Sequence, residues 1–248
     1  MNTSFIGRQL HTFETIDSTN RHAIELARRE FVEDGTVILS QEQTAGRGYG
    51  SNSWESEKNR NLTFTIILKP DFLPVQKQFF LSMVISLGIY DFLILFNENI
   101  SIKWPNDIYA GDGKIAGILI ENILKTDRIE HTFAGIGVNI NQEVFRSDAP
   151  NPVSLKKING IDYDLQECLG LLCSKIEARY LQLVSGKETL IKTLYTQNLY
   201  RINETHCFSA GDRFFEGRIK GIDEFGHLLI EADGKTVKFG FKEVSFKI

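Results

Sequence analysis

The chain has few cysteines: Cys168, Cys173 and Cys207 are the 3 among 248 residues. An odd number without C-x-x-C spacing excludes a disulfide framework and reads as reduced thiols. His11, His22, His131, His206 and His227 pair with no cysteine at ligand spacing, so no protein-bound metal is assigned. Charge of one sign is also missing. With 28 Lys/Arg against 32 Asp/Glu the net charge is -4, which gives no basic field for DNA. No basic stretch followed by an apolar run opens the chain, so a signal peptide is not expected and the cytoplasm is the expected location. The longest apolar run, Phe79 to Phe96, contains Asp91 near its centre. An Asp costs roughly 2.5 to 3.5 kcal/mol at the middle of a bilayer, so the run predicts a buried helix and no membrane span. Internal repeats and low-complexity stretches are absent.

Glycine, by contrast, is placed informatively. Gly46, Gly48 and Gly50 surround Arg47 shortly after a strand candidate, Thr36 to Ser40. Glycine reaches positive φ without steric cost and lets backbone N–H groups converge, while Arg47 adds a fork of donors for carboxylate or phosphate. The spacing is not a dinucleotide fingerprint, because the chain runs on into a strand, Leu62 to Leu68, instead of a helix. Gly234-Lys235-Thr236 imitates the tail of a P-loop, but Leu229 stands where the leading glycine belongs. Taken alone, the glycine loop is more often a plain surface loop.

Two further segments change that balance. Ile100 to Lys103 reads as a strand, Trp104 to Asp107 as a turn, Ile108-Tyr109 as extended again, Ala110 to Gly113 as a second turn, and Lys114 to Glu121 as the next strand. Lys103 and Lys114 are thereby expected on neighbouring strands with Asn106 and Asp107 between them, an arrangement suited to phosphates and a nucleotide-borne Mg²⁺. Gly135 to Asn141 alternates strictly. Ile136, Val138 and Ile140 face the core, and Gly135, Gly137, Asn139 and Asn141 leave the other face nearly bare. A bare strand face marks either a ligand or a closely packed neighbour, and Asn139 can read the edge of a purine.

These segments together resemble the biotin protein ligases. The matching residues are Asp17-Ser18-Thr19-Asn20, Gly46-Arg47-Gly48 through Trp54, Lys103-Trp104-Pro105-Asn106-Asp107, Lys114-Ile115-Ala116-Gly117-Ile118-Leu119, and Gly135 to Asn139. The resemblance implies biotin and ATP with Mg²⁺ as ligands, biotinyl-AMP as intermediate, and a lysine of a biotin carboxyl carrier protein as acceptor. It implies Arg47, Lys114 and Asp107 as catalytic residues. Biotin is expected at Ser18, Thr19, Asn20, Gln43, Gly46, Arg47, Gly48, Tyr49, Lys114 and Gly117, and ATP at Trp54, Lys103, Asn106, Asp107 and Asn139. Two departures stand out. Tyr49 occupies a place where the family usually carries a second arginine, which bears on retention of the intermediate. Residues 151–155 lack the aromatic that in bacterial members often stacks on adenine.

The remaining layout follows from pattern. Ser18 or Thr19 caps a helix over Arg21 to Glu30; Asp164 to Val184 and Thr189 to Leu199 read as further helices. From Phe208 onward short β runs alternate with turns, which looks like a small barrel, and the family has an SH3-like β-barrel there. The expected fold class is α+β: a mainly antiparallel sheet backed by helices in residues 1–204, then the barrel in residues 205–248. A homodimer is compatible with the family. A lipoate or octanoate ligase or transferase would need a longer apolar channel. A biotin-sensing repressor would need a helix-turn-helix domain, for which about a dozen residues ahead of the first motif are too few.

Overall fold

The computed structural model describes residues 3–246 except 51, 148 and 150. Its first sheet has seven strands: β1 (Leu10–Phe13), β2 (Thr36–Ser40), β3 (Leu62–Leu68), β4 (Ile100–Lys103), β5 (Asp107–Ala110), β6 (Gly113–Lys125) and β7 (Arg128–Val138). Their spatial order is β1-β2-β3-β7-β6-β5-β4, and only the β1–β2 pair is parallel. The α+β class with a mainly antiparallel sheet is therefore the observed one.

Alternation along the strands divides the residues between two faces. Phe64, Ile66, Ile136 and Val138 point into the main core, which α2 (Phe79–Leu93) and α4 (Leu165–Val184) cover. Helix α2 is apolar on nearly all sides and buried accordingly, with no polar face for solvent. Asp91, the residue that argued against a membrane span, accepts Nε and Nη2 of Arg179 and so ties α2 to α4. On the opposite face Ile38, Ile67 and Phe133 pack beneath α1 (Thr19–Arg29) through Ala23. Beside that small core the same face becomes polar and thin: Thr63, Thr65, Gly117, Gly135 and Gly137 follow on in the alternation. Of these, Thr63, Gly117, Gly135 and Gly137 form the floor of a cavity.

Helices α3 (Leu155–Asn159) and α5 (Glu188–Gln197) complete the first layer system. The chain then forms a second antiparallel sheet, with β8 (Thr205–Ala210), β9 (Arg213–Ile222), β10 (Leu228–Ala232), β11 (Lys235–Phe239) and β12 (Ser245–Phe246) in the order β11-β10-β9-β8-β12. No β11–β12 pairing closes it among the described residues, so the expected barrel is seen as an open sheet. The physical reason lies in the chain after β11. Phe241, Lys242 and Val244 run along the mouth of the cavity, and only the two-residue β12 returns to the sheet. Trp104 joins the two parts, its buried indole N–H donating to the Gly226 carbonyl at 2.8 Å.

Candidate active site

The cavity has a volume of about 380 Å³ and lies between α1, the first sheet, the glycine loop and the Phe241–Phe246 segment. That size suits a small organic ligand. Ser18, Thr19, Asn20, Gln43, Arg47, Gly48, Tyr49, Trp54, Lys103, Asn106, Asp107, Lys114 and Gly117 all line it, so residues spread over a hundred positions converge as the motifs suggested. Gly46 and Asn139 do not line it. Among the described lining residues four are cationic, Arg47, Lys103, Lys114 and Lys242, and one is anionic, Asp107. A chain of net charge -4 thus builds a strongly positive pocket. Such a pocket focuses its field on an anion.

The start of α1 shapes one end. Ser18 is the N-cap residue, but its side chain makes no capping bond; Gln43, from the segment after β2, accepts the Thr19 N–H at 2.7 Å instead. A side chain from another element thus satisfies the helix terminus, which leaves the Ser18 hydroxyl outside the capping role. Asn20 is committed to internal partners. Its Nδ2 donates to the Leu119 carbonyl at 3.1 Å and to Glu121 Oε2 at 2.9 Å, and its Oδ1 accepts the Thr65 hydroxyl at 2.6 Å.

The glycine loop folds back on itself: Gly48 N–H donates to Asn52 O at 2.8 Å and Trp54 N–H to Gly46 O at 3.0 Å. Ser51, within that loop, lies outside the described residues. Gly46 therefore has a structural task, since a Cβ there would sit 2.4 Å from the Trp54 carbonyl oxygen. Arg47 reaches Glu121 with both terminal nitrogens, at 3.1 and 3.0 Å. Tyr49 packs edge-on against Phe241, and the Lys242 ammonium lies 5.3 Å from the tyrosine ring centre.

The bare face of β7 is filled by the indole of Trp54. A Cβ on Gly137 would come within 2.2 Å of that ring and one on Gly117 within 3.0 Å. The Trp54 indole packs closely on Gly117 and Gly137, and both glycines also line the cavity. The indole Nε1 is buried without a hydrogen-bond partner.

Lys103 and Lys114 are not on neighbouring strands as expected; β5 runs between β4 and β6. The extended segment at Ile108-Tyr109 belongs to a full inserted strand, because Asp107 to Ala110 pairs with both flanks. This insertion places Asp107 between the two lysines. Its Oδ1 is 2.7 Å from Lys114 Nζ. Lys103 Nζ donates to the Tyr109 hydroxyl at 2.7 Å. Burial, with Lys114 and Arg201 nearby, holds the Lys103 ammonium below its ordinary pKa even though Asp107 opposes the shift. Burial and then the Asp107 charge push the Tyr109 phenol up to about 12, so it stays neutral and accepts. Asn106 is fixed by Nδ2 on the Ile118 carbonyl at 2.8 Å.

Asn139 is buried and holds the segment beside Lys114, donating Nδ2 to the Val153 carbonyl at 3.0 Å. Val153 N–H in turn donates to the Lys114 carbonyl at 3.0 Å, so Lys114 is clamped on both backbone edges. Sequence reasoning did not find Thr65, Glu121, Phe241 or Lys242. Glu121 carried a usable signal, since it follows Gly117 and Leu119 on the cavity face of β6. The others depend on long-range packing alone.

Residues 12–139 match the biotin/lipoate A/B protein ligase family, and residues 209–247 match the biotin protein ligase C terminal domain. The bifunctional ligase/repressor BirA of Bacillus spizizenii is 31% identical over 93% of this chain and 72% of its own length. The biotin--[acetyl-CoA-carboxylase] ligase of Paracoccus denitrificans is 30% identical over 93% of this chain and 97% of its own. Among solved structures, the biotin protein ligase from Aquifex aeolicus in complex with biotin and ATP superposes with a TM-score of 0.80 at 25% identity, covering 97% of this chain and 99% of that one.

Proposed function

The chain belongs to the biotin/lipoate A/B protein ligase family, and from that membership and the charge of the cavity we infer that it is an ATP-dependent biotin ligase. The carrying observation is the set of four cations around a single carboxylate in one cavity that also holds an uncharged, hydroxyl-rich end at Ser18 and Thr19. The neutral end suits the ureido ring of biotin, which needs donors and acceptors but no charge, and the cationic end suits its carboxylate and the ATP phosphates.

In the reaction a carboxylate oxygen of biotin bonds to the α-phosphorus of ATP. The bond to the β-phosphate oxygen breaks, and pyrophosphate leaves. The amine of the acceptor lysine then bonds to the acyl carbon of biotinyl-AMP, AMP leaves, and the amine releases a proton. No protein nucleophile takes part, and neither cysteine nor histidine lines the cavity among the described residues. Catalysis rests on alignment and on charge already in place. Arg47 and Lys114 act at the carboxylate and α-phosphate, Lys103 toward the other phosphates, and Asn139 by keeping Lys114 in position. Asp107 holds the Lys114 ammonium. It is also the carboxylate that fits a nucleotide-borne Mg²⁺, which takes few protein ligands and keeps several waters. When bound, that ion neutralises phosphate charge. Trp54 supplies an aromatic wall for the nucleotide side, and Tyr49 docks the loop on Phe241 and Lys242. The acceptor is a biotin carboxyl carrier protein. A lipoate ligase is disfavoured by the hydroxyl-lined end, which would leave an aliphatic chain against Ser18 and Thr19.

The test is ATP–pyrophosphate exchange with purified protein. Exchange should require biotin, fail with lipoate, and fall about a hundredfold or more in Lys114→Met with the melting temperature nearly unchanged. Equal support by lipoate, or near-normal exchange in the variant, would refute the reading.

A further inference from the structure

We propose that Glu121 is a positioning residue for the reaction: its carboxylate, itself aimed by Asn20, sets the orientation of the Arg47 guanidinium toward the reacting anion. This inference rests on the reading of Arg47 as the group that meets the substrate carboxylate. Glu121 is not among the residues lining the cavity. It stands behind Arg47 and takes both terminal nitrogens, at 3.1 and 3.0 Å, in a two-point grip that fixes the plane of the guanidinium as well as its place.

The carboxylate is fixed in turn. Asn20 Nδ2 donates to Glu121 Oε2 at 2.9 Å and to the Leu119 carbonyl at 3.1 Å, so the amide spans two positions of one strand face. The other end of the amide accepts the hydroxyl of Thr65, which is fully buried. Gly135 leaves room for it, because a Cβ there would lie 2.4 Å from Asn20 Oδ1. The relay therefore runs from β3 through the first turn of α1 to β6 and ends on a loop arginine. Each link has a defined orientation, as a flexible arginine on a glycine-rich loop otherwise would not.

The arrangement is poorly suited to stabilising the fold. Side chains of Arg47 and Glu121 are 41% and 29% exposed, and ion pairs that open to solvent contribute little to stability. What the pair does supply is orientation. A guanidinium has five N–H groups, so the two directed at Glu121 leave others for a ligand in the cavity.

The experiment is a double-variant cycle on the full chain with Arg47→Met, Glu121→Gln and the pair combined, read by biotin-dependent ATP–pyrophosphate exchange, with Asn20→Ala as a further arm. Glutamine keeps the size of the side chain but replaces one acceptor with a donor that opposes an arginine N–H. Glu121→Gln should lower kcat/KM for biotin about tenfold, the scale of one charge-assisted contact, while KM for ATP and the melting temperature stay near those of the natural protein. Asn20→Ala should shift the same parameter in the same direction. The combined variant should be no worse than Arg47→Met alone, because a residue that acts only through Arg47 has nothing left to act on. If Arg47→Met is impaired while Glu121→Gln is not, or if the two losses multiply, the positioning role is overturned and the reading of Arg47 stands. If Arg47→Met exchanges normally, the reading of Arg47 fails, and the inference falls with it.

Discussion

Lys103 shows how single residues are tuned by the fold. Its ammonium is disfavoured first by burial and then by Lys114 and Arg201, with Asp107 opposing, and the result is a pKa below the ordinary lysine value of 10.5. The sign has a kinetic consequence. As pH rises, Lys103 loses its charge earlier than a solvated lysine would, and its attraction for phosphate goes with it. The alkaline limb of kcat/KM for ATP should therefore fall at a lower pH than 10.5, and Lys103→Arg, which keeps its charge throughout, should move that limb upward. A pH profile unchanged by the substitution would separate Lys103 from nucleotide binding. The identities of Arg47, Lys103, Asp107 and Lys114 as cavity residues were legible in the sequence because each sits in a dense local motif. Asn20 was legible as a site residue but not in its task. Only the contacts with Thr65, Leu119 and Glu121, which lie 45, 99 and 101 positions away, reveal that it aims a neighbour.

At the scale of elements, periodicity located β2, β3, β4 and the long helices with little error, since each has a full apolar face to bury. It missed β1, whose residues Leu10 to His11 and Thr12 are exposed and whose pairing is parallel at the sheet edge. It also missed α3, which is five residues long and is held by the Ser154 cap rather than by an amphipathic pattern. Strand β7 begins at Arg128 and stops at Val138, so the alternating segment from Gly135 to Asn141 straddles the strand end. Another element-scale device is carried by α4. Glu177 accepts Ser4 N–H at 2.7 Å, Phe5 N–H at 2.8 Å and Ile6 N–H at 2.9 Å, pinning the segment that leads into β1. Burial pulls its pKa upward, but these backbone hydrogen bonds and that of the Ser4 hydroxyl outweigh it and leave the pKa below 4.5. A carboxylate with a depressed folded pKa stabilises fully above its unfolded value, and that contribution is lost as pH falls through the folded one. Glu177→Gln should thus cost about 2 kcal/mol near neutrality, roughly 5 °C in melting temperature. The difference from the natural protein should shrink as pH drops below 4.5. A constant difference across that window would contradict the hydrogen-bonded carboxylate as its source.

For the whole molecule, the change in pattern near residue 205 coincides with the start of the second sheet at Thr205. That the chain after β11 helps to build the cavity was not legible. Phe241, Lys242, Val244, Ser245 and Phe246 form its outer wall, and nothing in local sequence distinguishes them from ordinary strand and turn residues. The link is Trp104, which sits inside the Lys103 to Asp107 motif, donates to the Gly226 carbonyl and stacks edge-on against Phe241 at 5.3 Å between ring centres. Trp104→Phe removes that buried donor. It should cost about 1 to 3 kcal/mol, because the Gly226 carbonyl is left unpaired. It should also raise KM for ATP more than KM for biotin, since the change falls beside Lys103 and the second part. A loss of stability with both constants unchanged would make Trp104 a packing residue only.

In the proposed reaction biotin and ATP react with each other inside this cavity, with the protein aligning them and never joining the chain of covalent bonds. The most direct measurement is a single-turnover reaction of the full chain with biotin and ATP without acceptor, quenched in acid and analysed for small molecules and for the mass of the intact protein. One biotinyl-AMP and one pyrophosphate per protein should form together, with no adenylyl or phosphoryl group on the chain. Pyrophosphate released in the absence of biotin, or a covalent adenylyl-protein appearing before biotinyl-AMP, would contradict it.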